Sequence, residues 1–297
     1  MAEAVLGPRF PAYTYSYFIA EGNVSSPVVS ENGRRDWRAV ILSSHFDDAA
    51  LSLGGIIQRL SGPVAIVTVH GGPPTEGLPI SFWDSDCGFV SPMEAFTVRK
   101  DEDARACSLL GAEQVLLPHA DNPYLGRGEL TSLDVFLATV PPIADIYVPL
   151  GTAQPDHARV RDRALQVLSR TMRPEIRVYA DLPYSAVVPS WGAGSTGTAL
   201  ASATVAGAAY RQIRDQYGLE VMSEVCLDEN EWRRKRNAIF CYASQLGPVA
   251  NIGDPKDGAF LRYPGPLQFE VVWTLRLHPE PRQASILNRS GFLRSGY

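Results

Sequence analysis

The sequence predicts an α/β fold: a Rossmann-like, mostly parallel sheet with helices on both faces. Short runs that are apolar throughout alternate with amphipathic helical patterns between about residues 37 and 185. This alternation is typical of parallel strands whose two faces are both covered. The 297 residues are also enough for one large α/β domain. We therefore interpret 1–297 as a single domain, with an N-terminal extension (1–36), a catalytic core (37–250) and a C-terminal strand and tail region (251–297).

The alternation assigns the core segments in order. The predicted strands are RAVILSS (38–44), VAIVTVH (64–70), EQVLLPH (113–119), ADIYVPL (144–150) and EIRVYAD (175–181). The predicted helices are LSLGGIIQRL (51–60), VRKDEDARACSLL (98–110), LTSLDVFLATV (130–140), HARVRDRALQVLSR (157–170) and DENEWRRKRNAIFCYASQ (228–245). The long segment 72–95 is rich in Pro and Gly, and its aromatic side chains favour a substrate-facing lid. The segment 186–204 is expected to be a second loop or a poorly ordered excursion.

Composition and local pattern argue against several classes of protein. The net charge of −5 disfavours a nucleic-acid partner, because no broad basic surface is expected. No apolar run is long enough for a membrane span, and the N-terminal residues do not have the pattern of a secretory signal. No G-x-G-x-x-G motif follows the first strand, which argues against a dinucleotide cofactor. The four cysteines form no CxxC pair, so we expect buried free thiols in a cytoplasmic protein.

Two polar motifs follow predicted strands. SSHFDDAA (43–50) comes after the first strand and Gln154-Pro155-Asp156-His157 after the fourth. In the common doubly wound order these strands are neighbours at the switch point, where ligands bind beyond the carboxyl ends of the strands. Two histidines and a carboxylate form a three-ligand zinc site with a position left for water. We predict His45, Asp48 and His157 as ligands of Zn²⁺, or of another divalent metal, and Asp47 as general base on the zinc-bound water.

Simpler explanations exist for the same residues. Asp47 or Asp48 could cap the helix that follows, and Asp156 could cap the helix that begins near His157. His45 could be a packed histidine at a strand end. Because both motifs follow strands that the fold would place side by side, we favour the metal site.

With these motifs the chain resembles the PIG-L/LmbE-like zinc-dependent de-N-acetylases, whose first motif reads HPDDE. The matching segments are His45-Phe46-Asp47-Asp48 with Leu53-Gly54-Gly55, Arg99 to Gly111, Pro149 to Arg161, Tyr179 to Tyr184, and Lys235 to Gln245. They occur in family order over roughly residues 38–245. The resemblance implies the same ligands and base, and removal of an N-acyl group, often acetyl, from an amino sugar or a sugar-bearing metabolite.

The chain departs from the family pattern at two points in the site. Phe46 and Ala49 replace the proline and the final glutamate of the first motif, and this glutamate supports the site in the family. Gln154 stands where many members have a histidine that assists the intermediate or protonates the amine. A glutamine can donate a hydrogen bond to an oxyanion but has no proton to transfer near neutral pH. We therefore assign Gln154 a catalytic position without an acid–base role.

Four further residues are predicted to contact the substrate. They are His70, Asp121, Arg99 and Trp83. For His70 a packed histidine is an equal alternative, and for Asp121 a turn-forming aspartate. Arg99 and Glu102, three apart on a helix, would pair with each other without any catalytic role. The basic run 233–236 is expected to be a solvent-exposed helix face.

The predicted partner is a small N-acylated molecule, and a homo-oligomer is compatible with the sequence. Two alternative functions stay open. The departures at Ala49 and Gln154 are compatible with a degenerate homologue that binds without turnover. A metal hydrolase of another acyl or carbamoyl bond in secondary metabolism is the other alternative.

Overall fold

The computed structural model describes residues 36–122, 124, 128–171, 173, 175–250 and 261–276. The predicted N-terminal extension, apart from residue 36, and the chain after residue 276 lie outside these ranges. The division of the chain into extension, core and tail therefore stays a prediction. Among the helices in these ranges, none combines the length and the apolar character needed to cross a membrane.

Seven strands and nine helices make up the described part of the chain. The strands are β1 (Ala39–Ser43), β2 (Val64–Thr68), β3 (Ala112–Leu116), β4 (Asp145–Pro149), β5 (Glu175–Tyr179), β6 (Glu220–Cys226) and β7 (Phe269–Arg276). The helices are α1 (Asp48–Ile57), α2 (Phe82–Asp86), α3 (Pro92–Leu110), α4 (Thr131–Thr139), α5 (Pro155–Leu168), α6 (Thr196–Ser202), α7 (Ala208–Tyr217), α8 (Glu229–Ile239) and α9 (Leu246–Ala250). All five predicted strands and all five predicted helices are present, with shifted ends.

The seven strands form one sheet in the order β3-β2-β1-β4-β5-β7-β6. The first five strands are parallel, and β7 pairs antiparallel with both β5 and β6. This confirms the predicted mostly parallel sheet. β1 and β4 are parallel neighbours, with Ile41 opposite Tyr147. Strands β2 and β3 are added on one side of β1, and β4 and β5 on the other, so the strand order reverses between β1 and β4. The two motifs that follow β1 and β4 therefore meet at one crevice.

Each face of the sheet packs against its own set of helices. Along β1, Val40 and Leu42 join a core with apolar residues of α4, α5 and α7. Ala39 and Ile41 face the other way and join a core with residues of α1 and α3. Successive strand residues point to opposite faces, so an apolar strand such as AVILS contributes to both cores. This explains why the strands could be recognised as continuous apolar runs.

A buried ion pair connects α8 to β7 and α1. Lys235 Nζ lies 2.7 Å from Glu270 Oε1, with both side chains inaccessible to solvent. The Glu270 carboxylate also accepts hydrogen bonds from the backbone N–H groups of Gly55 and Ile56 in α1. Gly55 also packs against the Leu227 side chain. A Cβ on Gly55 would lie 2.2 Å from that side chain, so the close contact between Gly55 and Leu227 requires glycine. The prediction that 233–236 is wholly solvent-exposed is therefore wrong at Lys235. Lys235 is buried because its ammonium group neutralises the buried Glu270 carboxylate.

Two predicted loops contain helices, and the cysteines are less buried than predicted. The segment 72–95 includes α2 and the start of α3. The segment 186–204 includes α6, and its Leu200 is fully buried in the core. The residues of this segment are small and show little helical periodicity, so the sequence did not predict α6, which tertiary packing stabilises. The four cysteines are free as predicted, but only Cys107 is buried, while Cys226 is exposed.

Candidate metal centre

The turn between β1 and α1 is shaped by hydrogen bonds of its own residues. The Ser43 hydroxyl donates to the His45 carbonyl oxygen over 2.6 Å and accepts from the Ala49 N–H over 3.1 Å. The His45 N–H donates to Asp48 Oδ2 over 2.7 Å. These contacts hold the His45 and Asp48 side chains on the same side of the turn, at the carboxyl edge of the sheet.

The structure brings the three predicted ligands together. One donor atom each from His45, Asp48 and His157 lies within 4.8 Å of the other two. Asp48 Oδ2 is 3.1 Å from His157 Nε2 and 3.5 Å from His45 Nδ1. These donors come from segments about 110 residues apart in the sequence, so the geometry depends on the neighbouring positions of β1 and β4.

The loop between β4 and α5 presents His157 to this cluster. Gly151 adopts φ +83°, and a Cβ there would lie 2.7 Å from the Ala158 backbone, so the turn requires glycine. Pro155 opens α5 at a position where its missing N–H costs nothing. His157 Nδ1 is 2.8 Å from Asp181 Oδ1, and Asp181 Oδ2 accepts from the N–H groups of Gly151 and Thr152. Asp181 therefore fixes both the loop and the histidine ring.

The chemistry of these donors fits a zinc ion. His157 is 1% exposed, and its buried Nε2 makes no hydrogen bond of good geometry among the described residues, although Asp48 Oδ2 lies 3.1 Å away. Because Nδ1 is occupied by Asp181, the lone pair of a neutral His157 lies on Nε2, on the side of Asp48. A buried ring nitrogen without a well-directed hydrogen bond is unfavourable unless a ligand such as a metal ion completes it. His45, Asp48 and His157 can hold that ion, and Asp181 would orient His157 from behind.

Negative charge around the histidines favours a cation at this place. Burial lowers the pKa of His157, but the Asp48 and Asp181 carboxylates outweigh it and raise that pKa to about 9. Burial also opposes protonation of His45, whose pKa nevertheless lies well above its usual value because of Asp121 and other nearby carboxylates. Burial opposes ionisation of Asp48, but His157 and His45 hold its pKa well below the usual range. A bound metal would replace these protons on the two histidines.

Asp47 lies beside the cluster, and its carboxylate makes no hydrogen bond to the backbone of α1. It occupies the N-cap position of α1, but its side chain makes no capping hydrogen bond, so helix capping does not explain this residue. Burial and the neighbouring charge of Asp48 raise the pKa of Asp47 to about 6, against the opposing effect of Arg99. A carboxylate with a pKa near neutrality is suited to accept and return a proton. Asp156 also makes no cap, since the N-cap of α5 is Gln154.

A cavity opens over these residues and contains most of the predicted site. Its lining residues are His45, Asp47, Asp48, Leu51, Ser81, Trp83, Asp84, Arg99, Asp121, Asn122, Gln154, Asp156, Pro183, Tyr184, Gln245 and Val249. Trp83, Arg99, Asp121 and Gln154 are thus on the cavity wall. His70 is instead buried behind His45, with their rings stacked at 5.3 Å, and this position favours the alternative of a packed histidine.

Arg99 makes different contacts from the predicted helical pair with Glu102. Its Nη1 lies 3.1 Å from Asp121 Oδ2 and 3.5 Å from Asp84 Oδ1. Glu102 accepts hydrogen bonds from the backbone N–H and hydroxyl of Ser244. The expected pairing is wrong because tertiary partners lie nearer to both side chains. Asp121 also lies 3.2 Å from His45 Nε2, and with Asp156 these two form a second group of possible metal donors that shares His45.

Sequence reasoning did not assign roles to Asp181 and Tyr184. Both follow β5 at the same carboxyl edge of the sheet as the two motifs. The signal that could have identified them is therefore the polar sequence directly after the fifth predicted strand. The predicted site included Trp83 but not the residue that holds its side chain. The Trp83 indole N–H donates to Gln245 Oε1 over 2.7 Å, a contact across 162 residues that no local pattern reveals.

Comparison with known proteins assigns the fold to a class. No family model and no curated protein matches the sequence. Among solved structures, the A40926 pseudoaglycone deacetylase Dbv21 matches with a TM-score of 0.58 and 25% identity, over 82% of this chain and 99% of its own. The zinc-inhibited form of teicoplanin deacetylase Orf2 matches with a TM-score of 0.58 and 19% identity, over 80% and 97%. A deacetylase–teicoplanin complex gives 0.53 and 19%, over 80% and 98%.

The class that the fold and these neighbours define is the deacetylase type of α/β enzyme. The match covers 99% of the Dbv21 chain, so the similarity extends over the whole of that enzyme and not only over a shared substructure. The Orf2 structures, at lower identity, support the fold alone.

Proposed function

We propose that the protein is a zinc-dependent deacylase that removes an N-acyl group, most naturally acetyl, from an amino sugar or a sugar-bearing metabolite. The observation that carries this proposal is the His45–Asp48–His157 cluster at the switch point of a deacetylase fold. Asp47 lies on the wall of the same cavity with no capping role. A cluster of three ligands with a spare carboxylate beside it is the minimum that metal-assisted amide hydrolysis needs.

The residues of the chain divide the work of the reaction. When bound, a zinc ion supplies Lewis acidity for the amide carbonyl and for the attacking water. Asp47 takes a proton from that water as its oxygen bonds to the carbonyl carbon. The C–N bond then breaks, and Asp47 returns the proton to the departing nitrogen. One water is consumed, and one carboxylate and one amine are formed. The side chain of Asp47 makes no capping hydrogen bond, so its carboxylate is free for both halves of this transfer.

The nature of the cavity supports a polar, hydroxylated substrate. Its wall contains carboxylate and amide side chains, including Asp84, Asn122 and Gln245, around a small apolar portion formed by Leu51, Trp83 and Val249. Side chains of this kind bind sugar hydroxyls through directed hydrogen bonds. The neighbours named for A40926 pseudoaglycone and teicoplanin are consistent with a sugar-bearing substrate. We infer a small-molecule partner and a cytoplasmic location.

Metal content and acetate release together test this function. We expect about one zinc per chain after zinc supplementation and desalting, and acetate release from a panel of N-acetylglucosamine, its aryl glycosides and N-acetylated glycopeptides. His157→Gln should lose the metal and the activity. His119→Gln is the matched control, because His119 is also buried but belongs to neither group of possible metal donors among the described residues. Zinc binding with tight substrate binding and no release of acetate would favour the binding-protein alternative, and release from esters or carbamates alone would favour the other hydrolase.

A further inference from the structure

Tyr184 lies over the candidate metal centre, in a 3₁₀ turn (Tyr184–Val187) that follows β5. Its ring stands perpendicular to the His157 ring, with centroids 5.7 Å apart. Tyr184 is also part of the cavity wall, together with Asp47 and Gln154. The phenol is therefore on the same side of His157 as the residues that perform the proposed reaction.

The hydroxyl of Tyr184 is held in a way that leaves its hydrogen available. Gln154 Nε2 donates to the Tyr184 oxygen over 3.0 Å. A phenol can accept one hydrogen bond and donate another. None of the described residues accepts the hydrogen of Tyr184, so it can be donated to a molecule in the cavity. Gln154 thus orients a donor and does not itself have to reach the substrate.

Two other donors near the centre are already engaged. Arg99 Nη1 is bound between Asp121 and Asp84, and His157 Nδ1 contacts Asp181. The tetrahedral intermediate of amide hydrolysis carries a negative oxygen, and a positioned donor lowers its energy more than that of the planar amide. Tyr184 therefore offers, directly beside the His157 ring, a donor hydrogen that none of the described residues accepts.

We infer that Tyr184 is a catalytic hydrogen-bond donor to the oxyanion of the tetrahedral intermediate, and that Gln154 is the residue that positions it. This inference rests on the proposed deacylase function. It explains how the chain can work with glutamine at position 154, where the resembled family has histidine. The proton for the amine comes from Asp47, so Tyr184 forms no covalent bond and transfers no proton.

Tyr184→Phe tests the donor with three readouts. We expect kcat to fall by about 10²–10³, as for removal of one oxyanion donor, while KM changes by less than about threefold. The affinity for a methylphosphonamidate analogue, which imitates the tetrahedral intermediate, should fall by at least about tenfold. Zinc content should not change. Tyr217→Phe is the matched control, because Tyr217 also accepts from a glutamine amide, Gln216, over 3.0 Å, but lies outside the cavity wall.

A double-mutant cycle tests the positioning role of Gln154. Gln154→Ala should lower kcat by about tenfold with little change in KM, and adding it to Tyr184→Phe should cost little more, since coupled residues are not additive. Additive losses would overturn the positioning role. An active wild type whose Tyr184→Phe variant keeps its kcat and its affinity for the phosphonamidate would overturn the donor role alone. A zinc-loaded wild type that releases no acetate would overturn the deacylase function and this inference together.

Discussion

Asp181 lies 2.8 Å from His157 Nδ1, and its second oxygen accepts hydrogen bonds from two backbone N–H groups of the loop before α5. The His157 ring and the N–H groups of Gly151 and Thr152 thus all contact one carboxylate, and Asp181 is 1% exposed. An acceptor-only group is required here, because each of its oxygens faces an N–H. The candidate metal centre therefore depends on a residue that follows a third strand, β5, in addition to the two strands that precede the ligands.

Replacement of Asp181 by asparagine should weaken metal binding. The amide would place its own N–H groups against either His157 or the backbone donors, so His157 would lose its fixed orientation. We expect the zinc affinity of Asp181→Asn to fall by about 10–100-fold, measured by competition with a chromogenic chelator. Asp215→Asn, at an exposed carboxylate, should leave the affinity unchanged. Equal affinities in the two variants would contradict a supporting role for Asp181.

Asp47→Asn should separate chemistry from metal binding. Asparagine keeps the size of the side chain but cannot accept and return a proton. We expect kcat for acetate release to fall by about 10²–10⁴, with zinc content and unfolding midpoint close to wild type. Asp86→Asn, at the exposed end of α2, serves as the control. Full activity in Asp47→Asn would mean that another group is the base.

Lys235→Met should destabilise the fold strongly. The substitution leaves Glu270 charged and without its ion partner in a site closed to solvent. Breaking a buried pair in this way costs about 3–5 kcal/mol, measured as the free energy of unfolding in urea. Arg59→Met is the control. Arg59 also forms an ion pair, with Glu231 at 2.7 Å, but its side chain is 45% exposed, so its loss should lower the free energy of unfolding by no more than about 1 kcal/mol. Similar losses in both variants would contradict the importance of burial.

Asp103 should make the stability depend on pH. Burial raises its pKa from 3.8 to about 7, against the opposing hydrogen bonds from Gln114 and Tyr242. The folded state therefore holds the proton more tightly than the unfolded state. The contribution of Asp103 to stability is greatest in acid, falls as pH rises from about 4 to 7, and is constant above that range.

Comparison with Asp103→Asn isolates this effect. Between about pH 5 and pH 8, the unfolding free energy of wild type relative to the variant should fall by on the order of 2 kcal/mol. Asp101→Asn, on the exposed side of the same helix, should show no such trend. A difference between wild type and Asp103→Asn that is independent of pH would show that the carboxyl is ionised throughout.

Patterns of neighbouring residues were sufficient to predict the parallel sheet and to bring the three proposed ligands into one cluster. An apolar strand such as Ala39–Ser43 is recognisable because both of its faces are buried, and the polar residues after it stand out against that background. The order of strands then follows from the doubly wound rule, so His45 and His157 could be placed together without coordinates.

Contacts between distant segments decided the rest. Arg99 pairs with Asp121 and Asp84 instead of Glu102, because partners from other segments lie nearer. The helix within 186–204 forms because Leu200 packs into the core, although its sequence has little periodicity. Periodicity records only which face of a segment is buried.

The sequence by itself determined the class of fold and the chemistry of the candidate centre, because strand periodicity and the types of ligand are local properties. Only the tertiary structure decided which groups support and complete that centre. Asp181, Tyr184 and Glu270 act through partners 24 to 215 residues away, and a hydrogen bond or ion pair of that range depends on how whole strands and helices pack, which no short pattern specifies.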